Sequence, residues 1–166
     1  WEQLLTENYR LLIKKDGDLA IFNYIVGADF SEPIVQEARG IILNYKTKEV
    51  VCWPFRKFCN YTETFADTID WNSARVQEKV DGSIIKLWYD NEKSKWQFST
   101  NGTIRAENSI IINSYQSFYD IIKQASNYKD IDFEKLDKQK TYIFELVSPE
   151  TRVVIDYHGT KLFHIG

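Results

Sequence analysis

Short runs rich in β-branched and aromatic residues, each bounded by Gly, Pro, Asp or Asn, recur along the chain and restrict its fold more than any other feature. They occupy residues 19–26, 40–44, 50–53, 76–80, 84–89 and 96–100, and return at 142–147, 152–157 and 162–165. Runs of this length and composition predict strands. Residues 91–95 separate two of them and predict a hairpin loop. Apolar residues at Ile111, Ile112, Tyr115, Phe118, Tyr119, Ile121 and Ile122 predict one clear helix over 108–125. A short amphipathic helix is predicted over 1–13, ended by the turn-like Lys15-Asp16-Gly17-Asp18. The charged stretch 127–140 reads as a solvated connection. The expected fold is α+β, mainly antiparallel strands with a few packed helices, in one domain over residues 1–166.

The 166 residues carry a net charge of -3, so nothing in the overall balance draws the chain to nucleic acid, and any polyanion site must be local. No apolar run approaches the roughly 18 residues of a membrane span. Cys52 and Cys59 form no CxxC motif and have no histidine pair beside them, which argues against a disulfide framework or a zinc site. A soluble protein of the cytoplasm is expected. His158 and His164 are isolated, and neither is assigned catalysis or metal binding. The chain starts at Trp1 without a signal-like segment and contains no Met, as expected of a processed or excised piece.

Chemistry concentrates in Glu78-Lys79-Val80-Asp81-Gly82-Ser83, between two predicted strands. A lysine at a strand end, followed by Asp and Gly, can aim its amine into a pocket while glycine lets the backbone come close to a ligand. An exposed hairpin turn at Asp81-Gly82 explains the same residues when they are taken alone. Glu145 interrupts an apolar run, where a carboxylate is costly unless it is paired, liganded or turned outward on a half-exposed strand. Arg39 reads equally as a strand-end surface charge, and Lys57 as a side chain snorkelling from an aromatic segment. With 10 Phe, 10 Tyr and 5 Trp, most aromatics must be core, and a strand tyrosine such as Tyr24 is more often packing than a site.

The order of several blocks is more specific than any one of them. Ile21-Phe22-Asn23-Tyr24 is followed by Glu37-Ala38-Arg39-Gly40-Ile41-Ile42, Pro54-Phe55-Arg56-Lys57-Phe58-Cys59-Asn60 and Lys79-Val80-Asp81-Gly82-Ser83. Asn101-Gly102-Thr103-Ile104 and Phe144-Glu145-Leu146-Val147-Ser148-Pro149 come next, then Arg152, Val153, Val154 and Tyr157. In this order the chain resembles the covalent nucleotidyltransferases and, among them, the phage-type ATP-dependent RNA ligases.

The resemblance implies a nucleotidyltransferase-type domain in which Lys79 attacks the α-phosphate of ATP and becomes lysyl-AMP. AMP then passes to a 5′-phosphate RNA end, and a 3′-hydroxyl displaces it to seal the strand. It implies nucleotide contacts from Tyr24, Arg39, Lys57, Phe58, Glu78, Asp81, Gly82 and Glu145, and stacking on adenine by Phe58 or Phe163. It further implies Mg²⁺ as the divalent ion, with RNA ends, those of broken transfer RNA among them, as partners. A protonated amine cannot attack, so this chemistry needs desolvation or nearby positive charge around the nucleophile. Arg39 and Lys57 are the candidates for that charge.

Two positions depart from the family pattern: Asn101 stands where a basic residue is usual, and Cys59 replaces the second of two aromatics. The family's later Glu-Gly and KxK segments do not follow Gly166. The domain is therefore expected to be incomplete, and residues 1–166 alone to adenylylate poorly. A DNA ligase or capping-type nucleotidyltransferase shares the KxDG motif, and a non-catalytic nucleotide- or RNA-binding relative is the third reading.

Overall fold

The computed structural model describes residues 1–112 and 114–166. Its strands are β1 (Leu11–Asp16), β2 (Leu19–Tyr24), β3 (Arg39–Asn44), β4 (Val50–Cys52), β5 (Ser83–Asp90), β6 (Lys95–Thr100), β7 (Ile110–Ile111), β8 (Gln116–Ser117), β9 (Tyr142–Val147) and β10 (Lys161–His164). The α-helices are α1 (Pro33–Glu37) and α2 (Phe118–Gln124). One sheet has the order β1-β2-β3-β4 and the other β10-β9-β5-β6, and all pairings within them are antiparallel.

The two sheets face each other through Leu19, Ile21, Ile42, Cys52, Trp88 and Ile104. Strand alternation explains the layering, because neighbouring residues point to opposite faces. Ile85, Leu87, Phe98, Phe144 and Leu146 leave the far face of the second sheet, where Ile121 and Ile122 of α2 cover them. Leu11, Ala20 and Phe22 do the same on the first sheet, under Val35 of α1 and a helical turn at Leu4–Asn8. The expected α+β architecture of antiparallel strands is present.

The sheets are tied at one end by Arg105. Its guanidinium meets Asp16 at 2.6 Å, at the end of β1, and Asp90 at 3.3 Å, at the end of β5. Asn44 reinforces the same end by donating to Glu92 at 3.0 Å. The opposite end, where β3 and β5 begin, is open to the loop 53–82.

Four local expectations need correction. Residues 76–80 are not a strand: Val76 is 98% exposed, so this run has neither a partner strand nor a face to bury. Residues 152–157 also form no strand, because the backbone N–H groups of Val154 and Ile155 go to the Asp81 carboxylate rather than to a ladder. The helix expected over 108–125 forms only at Phe118–Gln124, and Asn113 within that span lies outside the described residues. Ser117 starts α2 with a reciprocal capping box to Asp120, while β7 and β8 form a small hairpin before it. At the N-terminus helical structure stops at Asn8, and Leu11, Leu12 and Ile13 belong to β1.

Candidate active site

The open end of the sandwich collects most of the residues singled out in the sequence. Glu145 lies on β9 opposite Ile84 of β5 and Phe163 of β10, on the face turned toward the first sheet. It is 9% exposed and accepts the Gly82 N–H at 3.0 Å. Burial pushes its carboxyl above the ordinary range, opposed by the Gly82 N–H and by the positive charges of Lys79 and Arg39. Lys79 and Arg39 thus both act on the one carboxylate.

The KxDG segment is anchored from two sides. The Asp81 carboxylate accepts N–H groups from Val154 at 2.8 Å and Ile155 at 2.7 Å, which hold it below its usual titration range, with Lys79 contributing further. The Asp81 N–H donates to the Tyr157 hydroxyl at 3.2 Å. A side chain at Gly82 would strike the Leu146 carbonyl and come within 3.2 Å of Glu145 Cγ. The absent side chain at Gly82 therefore lets β5 approach β9.

Lys79 itself is exposed and has no hydrogen bond or ion pair among the described residues. It precedes β5 from an irregular segment, not from the end of a strand, and the protein atoms around it do not supply the desolvation expected. Glu78 is likewise exposed, with no side-chain partner among the described residues.

Arg39 begins β3 and donates to the Arg56 carbonyl at 3.3 Å, with its guanidinium 4.9 Å from the Phe58 ring centre. It has no carboxylate partner in any ion pair among the described residues, so its charge remains available to an anion. Phe58 is 59% exposed, which leaves its ring available for stacking. Lys57 differs from expectation. Its amine meets Glu63 at 3.3 Å and the Phe58 carbonyl at 3.2 Å, and lies 4.8 Å from the Phe30 ring centre. Lys57 thus has a carboxylate partner, whereas Arg39 has none among the described residues. Tyr24 packs edge-on against the same Phe30 at 4.8 Å, in the cluster behind the first sheet.

A cavity of about 330 Å³ adjoins Phe58 and is lined by Gln36, Arg56, Lys57, Tyr61, Asp67 and Ile69. An apolar cavity of about 360 Å³ lies behind the first sheet among Trp1, Leu5, Phe22, Ile41, Leu43 and Tyr45, away from Glu145. The described residues gather no cluster of three His, Cys, Asp or Glu side chains able to hold a metal ion. No helix among them is long and apolar enough to cross a membrane.

Tyr157 was not assigned a role from the sequence, although it stood in one of the recognised blocks. Its hydroxyl helps fix the backbone beside Lys79. Ile84 was missed because an isoleucine in a strand carries no chemical signal; only the register shows that it flanks Glu145.

Two antiparallel sheets, a KxDG turn opening a central strand and a buried glutamate beside it define a nucleotidyltransferase-type domain. Residues 37–166 match the RNA ligase family. The chain belongs to that family. It is 27% identical over 192 residues to the RNA ligase of Rhodothermus phage RM378, a match covering 94% of this chain and 42% of the relative. It is 32% identical over 174 residues to a protein of Autographa californica nuclear polyhedrosis virus named "Putative bifunctional polynucleotide kinase/RNA ligase", covering 92% of this chain and 24% of that protein. The chain thus spans less than half the length of these relatives.

Proposed function

We propose that these residues are the nucleotide-binding part of an ATP-dependent RNA ligase with Lys79 as its nucleophile. The observation that carries this reading is the pairing of Lys79 and Arg39, two cations without ion-pair partners among the described residues, with the buried carboxylate of Glu145 on which both act. In the first step the Lys79 amine, having lost a proton, attacks the α-phosphorus of ATP. The bond to the β-phosphate oxygen breaks, pyrophosphate leaves, and a phosphoramide to AMP forms. A 5′-phosphate oxygen of RNA then takes the AMP and frees the lysine, and a 3′-hydroxyl attacks that 5′-phosphate to release AMP and join the strands.

Arg39 is suited to neutralise phosphate oxygens as charge builds on the leaving group, with Phe58 fixing its plane. Glu145 would accept a hydrogen bond from a ribose hydroxyl while keeping the Gly82 N–H in place. Asp81 and Tyr157 hold the backbone that presents Lys79. Because the amine is exposed in these residues, the desolvation that favours its neutral form has to come from the bound nucleotide and from whatever covers the cleft. Mg²⁺ is the expected companion of the ATP phosphates.

The test is intact-mass analysis of the full-length protein containing these residues, after incubation with ATP and Mg²⁺. An AMP adduct on the wild type and none on Lys79→Ala is the expected result. An adduct that persists in Lys79→Ala would move the nucleophile elsewhere. An adduct formed from GTP or NAD in place of ATP would favour the capping or DNA ligase alternatives, and RNA binding without any adduct the non-catalytic one.

A further inference from the structure

Lys86 is a charged side chain that the reaction above does not use. It lies on β5 with 0% exposure, in the layer between the sheets. It shares a strand face with Ile84, which faces Glu145, so it forms the floor of the same cleft. Its amine donates to the Gly40 carbonyl on β3 and has no carboxylate partner among the described residues. The buried Cys52 thiol is a titratable group that acts on it. Burial pulls the lysine's pKa down, as expected of an ammonium without a counter-charge.

A methionine would fill the same volume without the desolvation cost of an amine. The amine's position indicates what it does instead. Gly40 has φ +85, and a Cβ built there would lie 2.8 Å from Lys86 Nζ, from the Asn101 carbonyl and from Asn101 Oδ1. The start of β3, the middle of β5 and the turn after β6 therefore converge on one point, and Lys86 supplies the hydrogen bond that joins β3 to β5 there. The residue preceding Gly40 is Arg39. The contact thus fixes the backbone immediately after Arg39 against β5, and Arg39 is a cation that acts on Glu145.

We propose that Lys86 is a positioning residue for nucleotide transfer: by tying Gly40 to β5 it holds Arg39 at the working distance from Glu145 and Lys79. This rests on the reading of Lys79 as the adenylylated residue. A group that acts through Arg39 should lose its importance once Arg39 is gone, whereas a purely structural group should not.

The experiment is a double-mutant cycle on the rate of lysyl-AMP formation in the full-length protein, with wild type, Lys86→Met, Arg39→Ala and the double variant. Thermal unfolding is followed in parallel. Lys86→Met is expected to slow labelling on the order of tenfold or more, the usual scale for misplacing a catalytic contact by an ångström or less. The double variant is expected to be no slower than Arg39→Ala alone. Losses that multiply in the double variant, or a Lys86→Met rate equal to wild type, would overturn the proposal. If Lys86→Met does not fold, Lys86→Gln goes through the same cycle, with the same two outcomes deciding. A wild type that forms no adduct on Lys79 would sink the ligase reading itself, whereas a labelled wild type with an additive cycle would sink only the role of Lys86.

Discussion

At the scale of single residues, the cleft sets two carboxylates in opposite electrostatic conditions. Asp81 is held ionised by two backbone N–H groups, whereas Glu145 is pushed toward its protonated form by burial. For Glu145 the folded state binds the proton more tightly than the unfolded chain does. As pH rises from the ordinary carboxylate value of 4.5, the unfolded chain loses its proton first, so this group's contribution to stability falls through that window. Glu145→Gln keeps an oxygen for the Gly82 N–H but cannot ionise. Its urea midpoint relative to wild type should therefore rise between about pH 4 and about pH 7. A relative midpoint that is flat or falls over that range would mean that Glu145 is not desolvated in the folded protein. Much of this was legible in the sequence, because a glutamate inside Phe144-Glu145-Leu146-Val147 has few inexpensive places to go. What was not legible was that Lys57 has a carboxylate beside it while Arg39 has none among the described residues, since the two look alike as letters.

At the scale of elements, runs of β-branched residues became strands only where a partner and a buried face were both present. Residues 40–44 and 84–89 met both conditions. Val153-Val154-Ile155 met neither, since all three remain exposed and two of their amides are taken by Asp81 from 73 and 74 residues away. Propensity cannot report such a competitor, because it acts at long range. The segment after β9 should accordingly depend on Asp81. Asp81→Ala is expected to speed hydrogen exchange at the Val154 and Ile155 amides while leaving the amides of β9 protected. Equal protection in the variant would show that packing, not the carboxylate, holds the segment. The wild-type bonds also carry a pH sign. Asp81 titrates below its ordinary value, so protection at these amides is complete above about pH 4 and fades as pH falls through the lowered folded value.

At the scale of the whole molecule, the sandwich is clamped at one end and open at the other, where the proposed cleft lies. Arg105 joins Asp16 on one sheet to Asp90 on the other and also donates to Gln97 at 2.9 Å, while at the cleft end, beside Lys79, Arg39 and Glu145, the sheets are joined by the Lys86 bond to Gly40, with no ion pair between them among the described residues. The Arg105 and Asp90 side chains retain 13% and 5% exposure, so the pair is largely removed from water. Truncating one partner of such a pair leaves a buried charge uncompensated and costs about 3–5 kcal/mol. Arg105→Met should show a loss of that order in urea unfolding, and adding Asp90→Asn should recover part of it by removing the orphaned charge. Conditions that keep the variant folded should leave its rate of lysyl-AMP formation near wild type, because the clamp and the cleft lie at opposite ends of β5. A large rate loss in folded Arg105→Met would show instead that the angle between the sheets, fixed at the clamped end, sets the distance between Arg39 on one sheet and Glu145 on the other. The cleft would then have to be treated as a hinge opening rather than a rigid site.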